Sequence, residues 1–454
     1  MTPPAQSDYL DELAHFATHT RLEDVADSAL AYLRAIIADT LAACAAGNRE
    51  PEMRALLKKQ LPQVAAGRAS VFGSAKRMNP QDAAALNAAA GCWLELDEGN
   101  LASNGHPGIQ VLPSAMAVAQ QLGASGEQFL LASALGYEIC ARIGSACDMR
   151  MSIHPHGTYG VVGAAVATAR LAGLDPRRMR ELINLAASSP IAGNRQSMKD
   201  GATLRNWYAS HSALMGQMAV RLIDAGFTGP IDGIKPTCDD VLFDNFRPQE
   251  VVRDLGRRWL LADGYIKLYS CGRPIHAAID ALRMALAKTP VPVRPEDVER
   301  IEVRAFKFVV FLNRTDIRNA FATRFSTPFA LAAITAKGSH GLECFTAATA
   351  ADPVINALAR KVEMTEVPEY SAEFPRKQLC DVAVLLKDGT RLDGHCKIIR
   401  GEPANPADPA EVADKYFAIA RPIWGERLAG EVYTDVMRVE KLASLRDLAG
   451  GADL

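Results

Sequence analysis

The chain has 454 residues, 49% of them hydrophobic but only 6% aromatic, with a formal net charge of −2. That length allows more than one domain, and few aromatics beside abundant alanine favour close-packed helices over a sheet-rich architecture. The near-neutral charge and a pI of about 6.5 leave no basic field for nucleic acid or an anionic membrane. No apolar run reads as reaching the roughly 20 residues that span a bilayer.

The start, MTPPAQSDYLDEL, lacks a secretory leader pattern. The nine cysteines are odd in number, scattered and nowhere spaced as CxxC. Neither a disulfide framework nor a zinc site is expected, and a reducing, cytoplasmic setting fits best.

In chain order, Leu30, Leu33, Ile37, Leu41 and Cys44 recur at helical spacing and predict a helix over 22–46, ended by Gly47-Asn48. Residues 68–73 read as extended. An alanine-rich helix over 81–96, entered through Asn79-Pro80, delivers Glu95 and Asp97 to its C-terminal end. Helices follow over 112–122, 126–142, 160–171, 177–188 and 208–225. Their Gly- and Ala-rich faces suit close crossings in a bundle. Residues 194–201 read as a polar loop. After about Tyr265 the pattern changes. A half-buried strand is expected within 298–312, and a Lys387-Asp388-Gly389 turn joins strands over 380–386 and 390–399. With helices over 276–287 and 328–338 among them, this region reads as α+β. A proline-marked linker over 403–409 leads back to a helix over 410–420.

Chemistry concentrates between Trp93 and Gly160. Glu95, Asp97 and Glu98 lie within four residues, followed by His106-Pro107-Gly108 and by His154-Pro155-His156-Gly157. Carboxylates and imidazoles are the side chains that move protons near neutral pH. A duller reading has Asp97 and Glu98 as exposed charges near a helix end, each histidine packing in its loop, and Lys199 solvated. Metal binding is not expected. The only HxxxH spacing, His15 to His19, lacks the glutamate of HExxH.

The order of these pieces resembles the MmgE/PrpD family, which includes 2-methylcitrate dehydratase, cis-aconitate decarboxylase and iminodisuccinate epimerase. The matching residues are Glu95-Leu96-Asp97-Glu98, His106-Pro107-Gly108 and His154-Pro155 with Gly157-Thr158. Gly226-Phe227-Thr228-Gly229-Pro230, Lys267, His276 and Gly401-Glu402-Pro403 with Asn405-Pro406 follow in order. The resemblance implies a mainly α fold. A large all-helical domain is formed by both chain ends (1–264 with 404–454), and a small α+β lid spans 265–403. It also implies a homodimer, a cleft site without metal or organic cofactor, and a small carboxylic-acid substrate. Three positions depart from the family pattern. Arg205-Asn206-Trp207-Tyr208 stands where Lys-x-x-His is common, Cys92 where a histidine is usual, and Leu268–Gly272 lacks a histidine carried by the decarboxylase subgroup.

Dehydrating a β-hydroxy acid requires a base for the carbon-bound proton, an acid for the departing hydroxyl, and cations for the developing charge. On this reading His106 and His154 transfer protons, while Glu95 and Asp97 orient or tune an imidazole. Lys267, Arg205 and Lys199 grip substrate carboxylates, with His156, Tyr208 and His276 as further binding residues. His154 is the favoured base, because a helix beginning near Gly157 is expected to seat the anion and depress the ring's pKa. A hydro-lyase is the leading expectation. Epimerisation, decarboxylation and binding without catalysis are the alternatives.

Overall fold

The computed structural model describes residues 8–60, 65–446 and 448. Residues 1–7, on which the leader reading partly rests, lie outside these, as do 449–454 at the end of the expected helical domain.

The expected helices form, with shifted ends. Helix Pro80–Trp93 starts at Pro80, and Asn79 caps it by accepting from the backbone of Gln81 and Asp82. It stops sooner than expected: Glu95 takes a left-handed φ of 51°, so the acidic residues lie in the turn after the helix. Helix Pro107–Leu122 begins a turn and a half before the expected start and carries Pro113 inside it. There the packing of a helix buried from Pro107 to Gln120 outweighs the lost backbone bond. The loop expected at 194–201 contains a short helix, Gln196–Lys199. The return helix runs over Pro409–Met437, broken at Gly425 just after Pro422.

Helices Gly126–Ser145 and Gly160–Ala172 approach through Gly136 and Gly163. A Cβ on Gly136 would sit 2.5 Å from the Gly163 carbonyl oxygen. Helices Pro107–Leu122 and Trp207–Asp224 also pack against Gly160–Ala172. One expectation is corrected here. Helix Asp27–Gly47, 21 residues long, is long and apolar enough to cross a membrane despite Asp27, Arg34 and Asp39, but most of it is buried within the protein. Its apolar face is core, packed on Pro80–Trp93 and Pro409–Met437.

Buried apolar side chains form two clusters. One draws on residues from Leu10 to Ile266 and again from Val412 to Leu448. The other runs from Tyr269 to Ile399 and takes in Met198. A four-stranded sheet lies in the second, in the order Val362–Glu366, Val298–Ala305, Cys380–Leu386, Arg391–Cys396. The first pair is parallel and the others antiparallel. Residues 387–389 make the expected hairpin turn, with Gly389 at φ 91°. The strand expected within 298–312 ends at Ala305, and Lys307–Phe311 is helical. Strand Val362–Glu366 went unread in the sequence: Val362 and Met364 alternate with exposed Glu363 and Thr365, but two half-buried apolar positions make a weak signal.

Candidate active site

Between the two clusters lies a cavity of about 370 Å³. The first cluster's side supplies Glu95, His106, His154, Arg195 and Arg205; the other supplies Arg273, Phe308, Leu312, Phe325 and Gln378.

The turn after helix Pro80–Trp93 folds all three carboxylates inward, so Glu95, Asp97 and Glu98 are each 1% exposed. That rules out the solvated reading of Asp97 and Glu98. The Glu98 carboxylate accepts from the Gly108 backbone N–H and, at 3.0 Å, from the Tyr137 hydroxyl. Gly108 is required there, because a Cβ would meet the Glu98 carboxylate at 2.5 Å. Burial, opposed by those two hydrogen bonds, pushes Glu98 up to about 8. Glu98 thus pins the His106-Pro107-Gly108 loop against the acidic turn.

His106 directly precedes helix Pro107–Leu122. Its Nδ1 lies 2.5 Å from the Glu98 carbonyl oxygen and 3.3 Å from Asp97 Oδ2. A carbonyl only accepts, so the proton belongs on Nδ1 and the lone pair on Nε2. Burial, then Lys267, holds this imidazole well below its usual pKa. It is therefore neutral and basic at pH 7, and Asp97 stands ready to stabilise the ring once it is protonated.

His154 is placed differently. Arg205 Nε donates to its Nε2 at 3.1 Å, and the His156 backbone N–H approaches its Nδ1 at 3.2 Å. A neutral imidazole has a single lone pair, so both ring nitrogens face donors with none to spare. Burial and Arg205 together hold its pKa well below the usual range. The expected anion seat at the following helix is also taken. The Gly157 N–H donates to Gln110, and those of Val161 and Val162 to Thr158 and Tyr159. The helix proper starts only at Gly160.

His156, expected only as a further binding residue, is fully buried. Its ring meets His154 and His106 edge-on at 4.6 and 4.9 Å, and its Nε2 lies 3.4 Å from Asp97. Behind the cavity wall, charges alternate. Arg205 contacts Glu95 at 2.5 Å, and Lys267 bridges Glu95 at 3.2 Å and Asp97 at 3.1 Å. Burial opposes the charges of Arg205, Asp97 and Lys267, but Lys267 and the two neighbouring imidazoles keep Asp97 well below the carboxylate range, and Asp97 and Glu95 raise Lys267. Cys92, Asp97 and His156 lie close enough to share an ion. Yet Lys267 already supplies Asp97 with a positive charge, and burial keeps the Cys92 thiol protonated. These donors suit a hydrogen-bonded relay better than a metal centre.

Of the ten residues expected in the site, Glu95, His106, His154 and Arg205 line the cavity. Asp97, His156 and Lys267 sit directly behind them. Tyr208 backs His154 ring to ring at 5.9 Å, with its hydroxyl on Ser197. His276 is buried behind Arg273, its Nε2 on the Cys271 carbonyl at 3.2 Å. Lys199 is not brought to the site: its ammonium lies over the Phe311 ring at 4.3 Å. Sequence reasoning missed Arg273 and Gln378, which share Glu402 at 2.8 and 3.3 Å. Arg273 stands three residues before His276, and that spacing on one helix face was the available signal.

Residues 11–241 match the MmgE/PrpD N-terminal domain, and residues 269–436 match the MmgE/PrpD C-terminal domain. The chain belongs to the MmgE/PrpD family. Among its relatives, a cis-aconitate decarboxylase of Aspergillus terreus is 24% identical over 311 residues, covering 63% of this chain and 62% of that protein. A cis-aconitate decarboxylase-like protein of Aspergillus oryzae is 26% identical over 292 residues, 60% of each chain. The chain thus aligns with less than two thirds of the length of these fungal members. A Mus musculus member, also a cis-aconitate decarboxylase, is 25% identical over 388 residues, 81% of this chain and 77% of that one.

Proposed function

We propose that the protein is a cofactor-independent lyase of a small di- or tricarboxylic acid, with dehydration of a β-hydroxy acid as its reaction. Family membership and the decarboxylase names of its relatives support a carboxylic-acid lyase-type role at the coarse level. The observation that carries the reading is the seat of His106, with Nδ1 fixed by the Glu98 carbonyl and Asp97 beside it, and Nε2 left as a base. Nε2 takes the α-proton, the C–H electron pair becomes the new double bond, and the β-hydroxyl leaves as water by taking back the proton that Nε2 now carries. Arg205, beside the imidazoles, is placed to stabilise the charge that develops on the substrate carboxylate.

On this reading the cavity is the cleft between a helical body, 1–264 with 404–454, and a lid, 265–403. The two apolar clusters support that division. The nine buried, unpaired cysteines support a reducing compartment, which we take to be the cytoplasm.

Decarboxylation is the second reading, favoured by the relatives' names. A panel of hydroxylated and unsaturated di- and tricarboxylic acids in deuterated water, followed by NMR, tests both. Alkene signals from a hydroxy acid support the dehydratase. Released carbon dioxide assigns the decarboxylase. Solvent exchange at the α-carbon without loss of water assigns an epimerase, and binding without turnover removes the enzyme reading.

A further inference from the structure

Arg195 differs from every other cation of the cavity wall. Arg205 is paired with Glu95, and Arg273 with Glu402. Lys267, behind them, is held by Glu95 and Asp97. Arg195 has no carboxylate within ion-pair distance among the described residues. Its Nε donates to the Ile153 carbonyl at 2.8 Å, which fixes the side chain beside His154. The two terminal nitrogens that form its fork meet only thioether sulfurs, Met149 at 3.3 Å and Met151 at 3.7 Å. The Phe308 ring lies 5.0 Å from the guanidinium carbon. Sulfur is a weak acceptor and a ring face weaker still. A half-buried guanidinium is therefore left with an uncompensated charge and an unspent bidentate fork, facing the same cavity as His106 and His154. Burial depresses its pKa to about 10, and of the neighbouring groups only Tyr159 opposes this. It remains charged at neutral pH.

We infer that Arg195 is the anchor for a ligand carboxylate, which displaces the two methionine sulfurs and takes both terminal nitrogens in a bidentate pair beside the His154 imidazole. This deepens the proposed function and rests on its reading of the cavity as a carboxylic-acid site. Apolar neighbours on the same wall, Met149, Met151 and Phe308, lower the local dielectric and strengthen the pair. The sequence placed Arg195 in the polar loop with Lys199, near Arg205, and did not single it out.

Calorimetric titration with succinate and with its monoamide, succinamate, tests the assignment on wild type, Arg195→Gln and Arg195→Lys. Wild type should bind succinate more tightly than succinamate, and Arg195→Gln should weaken succinate roughly ten- to a hundredfold. The preference for succinate over succinamate should vanish in Arg195→Gln and return in part in Arg195→Lys, which restores charge without the fork. A loop merely loosened by the mutation would weaken both ligands alike and keep the preference. If Arg195→Gln retains it, the anchor lies elsewhere and only this assignment falls. If neither ligand binds wild type, nor citrate nor tricarballylate in its place, the carboxylate reading of the cavity falls and the anchor with it.

Discussion

Arg205 directs its Nε at the Nε2 of His154 across 3.1 Å while one of its terminal nitrogens holds Glu95 at 2.5 Å. The guanidinium occupies the lone pair that a catalytic His154 would need, and its charge helps to keep that ring neutral. Removing the charge should release the imidazole. In Arg205→Gln the His154 pKa is expected to rise toward the usual 6.5, read by NMR titration of selectively labelled histidines. A His154 resonance that still fails to titrate above pH 5 would mean that burial alone sets its state.

His106 has the opposite arrangement, with one nitrogen fixed and the other available. His106→Gln should cost roughly 10²–10⁴-fold in turnover, the range for a general acid–base group. His154→Gln keeps an acceptor for Arg205 and should retain more than about a tenth of wild-type turnover. Steady-state kinetics on the substrate identified by the panel would decide. Comparable losses in both variants would return the proton-transfer role to His154.

Lys267 carries the alternating charges behind the cavity. Lys267→Met leaves Asp97 buried with its main counter-charge gone and Glu95 held by Arg205 alone, so it should destabilise the protein by about 3–5 kcal/mol. Urea denaturation of wild type and variant measures this. A loss below about 1 kcal/mol would show that water reaches the pair.

Much of this site was legible in the sequence because its chemistry is local. Glu95, Asp97, His106 and His154 fall in short motifs next to predictable helix ends, and the structure brings them within one cavity or directly behind its wall. What stayed hidden depends on long-range folding. Nothing in Leu96-Asp97-Glu98 reports that the chain turns left-handed at Glu95 and buries three carboxylates. Lys199 and Arg195 share one polar segment, yet only Arg195 reaches the cavity, because helix Gln196–Lys199 turns Lys199 toward Phe311. Arg273 and Glu402 pair across 129 residues, a distance that no window of sequence covers.

A homodimer, expected from the family resemblance, needs an apolar face. Phe227, Ile231 and Val241, at 60%, 91% and 62% exposure, follow helix Trp207–Asp224 on the helical side of the protein. Large apolar groups left this exposed are what an interface between two copies would cover. Light scattering should give a dimer at micromolar concentration, and Ile231→Glu should weaken it. A monomeric wild type would sink the proposal.

His156 makes a pH prediction whose sign can be worked out. Burial first, and Arg205 next, push its pKa from 6.5 down to about 4, against the pull of Asp97. Above pH 6.5 the ring is neutral in both the folded and unfolded chain. As pH falls from 6.5 towards 4, the unfolded chain gains a proton there that the folded protein refuses. Stability is therefore lost at about 1.4 kcal/mol per pH unit. Glu98 works in the other direction. Raised from 4.5 to about 8, it stays protonated in the folded protein after the unfolded chain has released its proton, so its contribution declines as pH rises through that window. His156→Gln removes the first effect and leaves the second. The variant should be less stable than wild type at pH 7.5, where its buried amide meets Asp97 and Cys92 less well. By pH 5 that gap should have narrowed by about 2 kcal/mol, read from urea midpoints at the two pH values. A gap that widens instead would mean that His156 already carries a proton in the folded protein, shared with Asp97 across their 3.4 Å contact. A constant gap would mean that folding leaves its pKa unshifted.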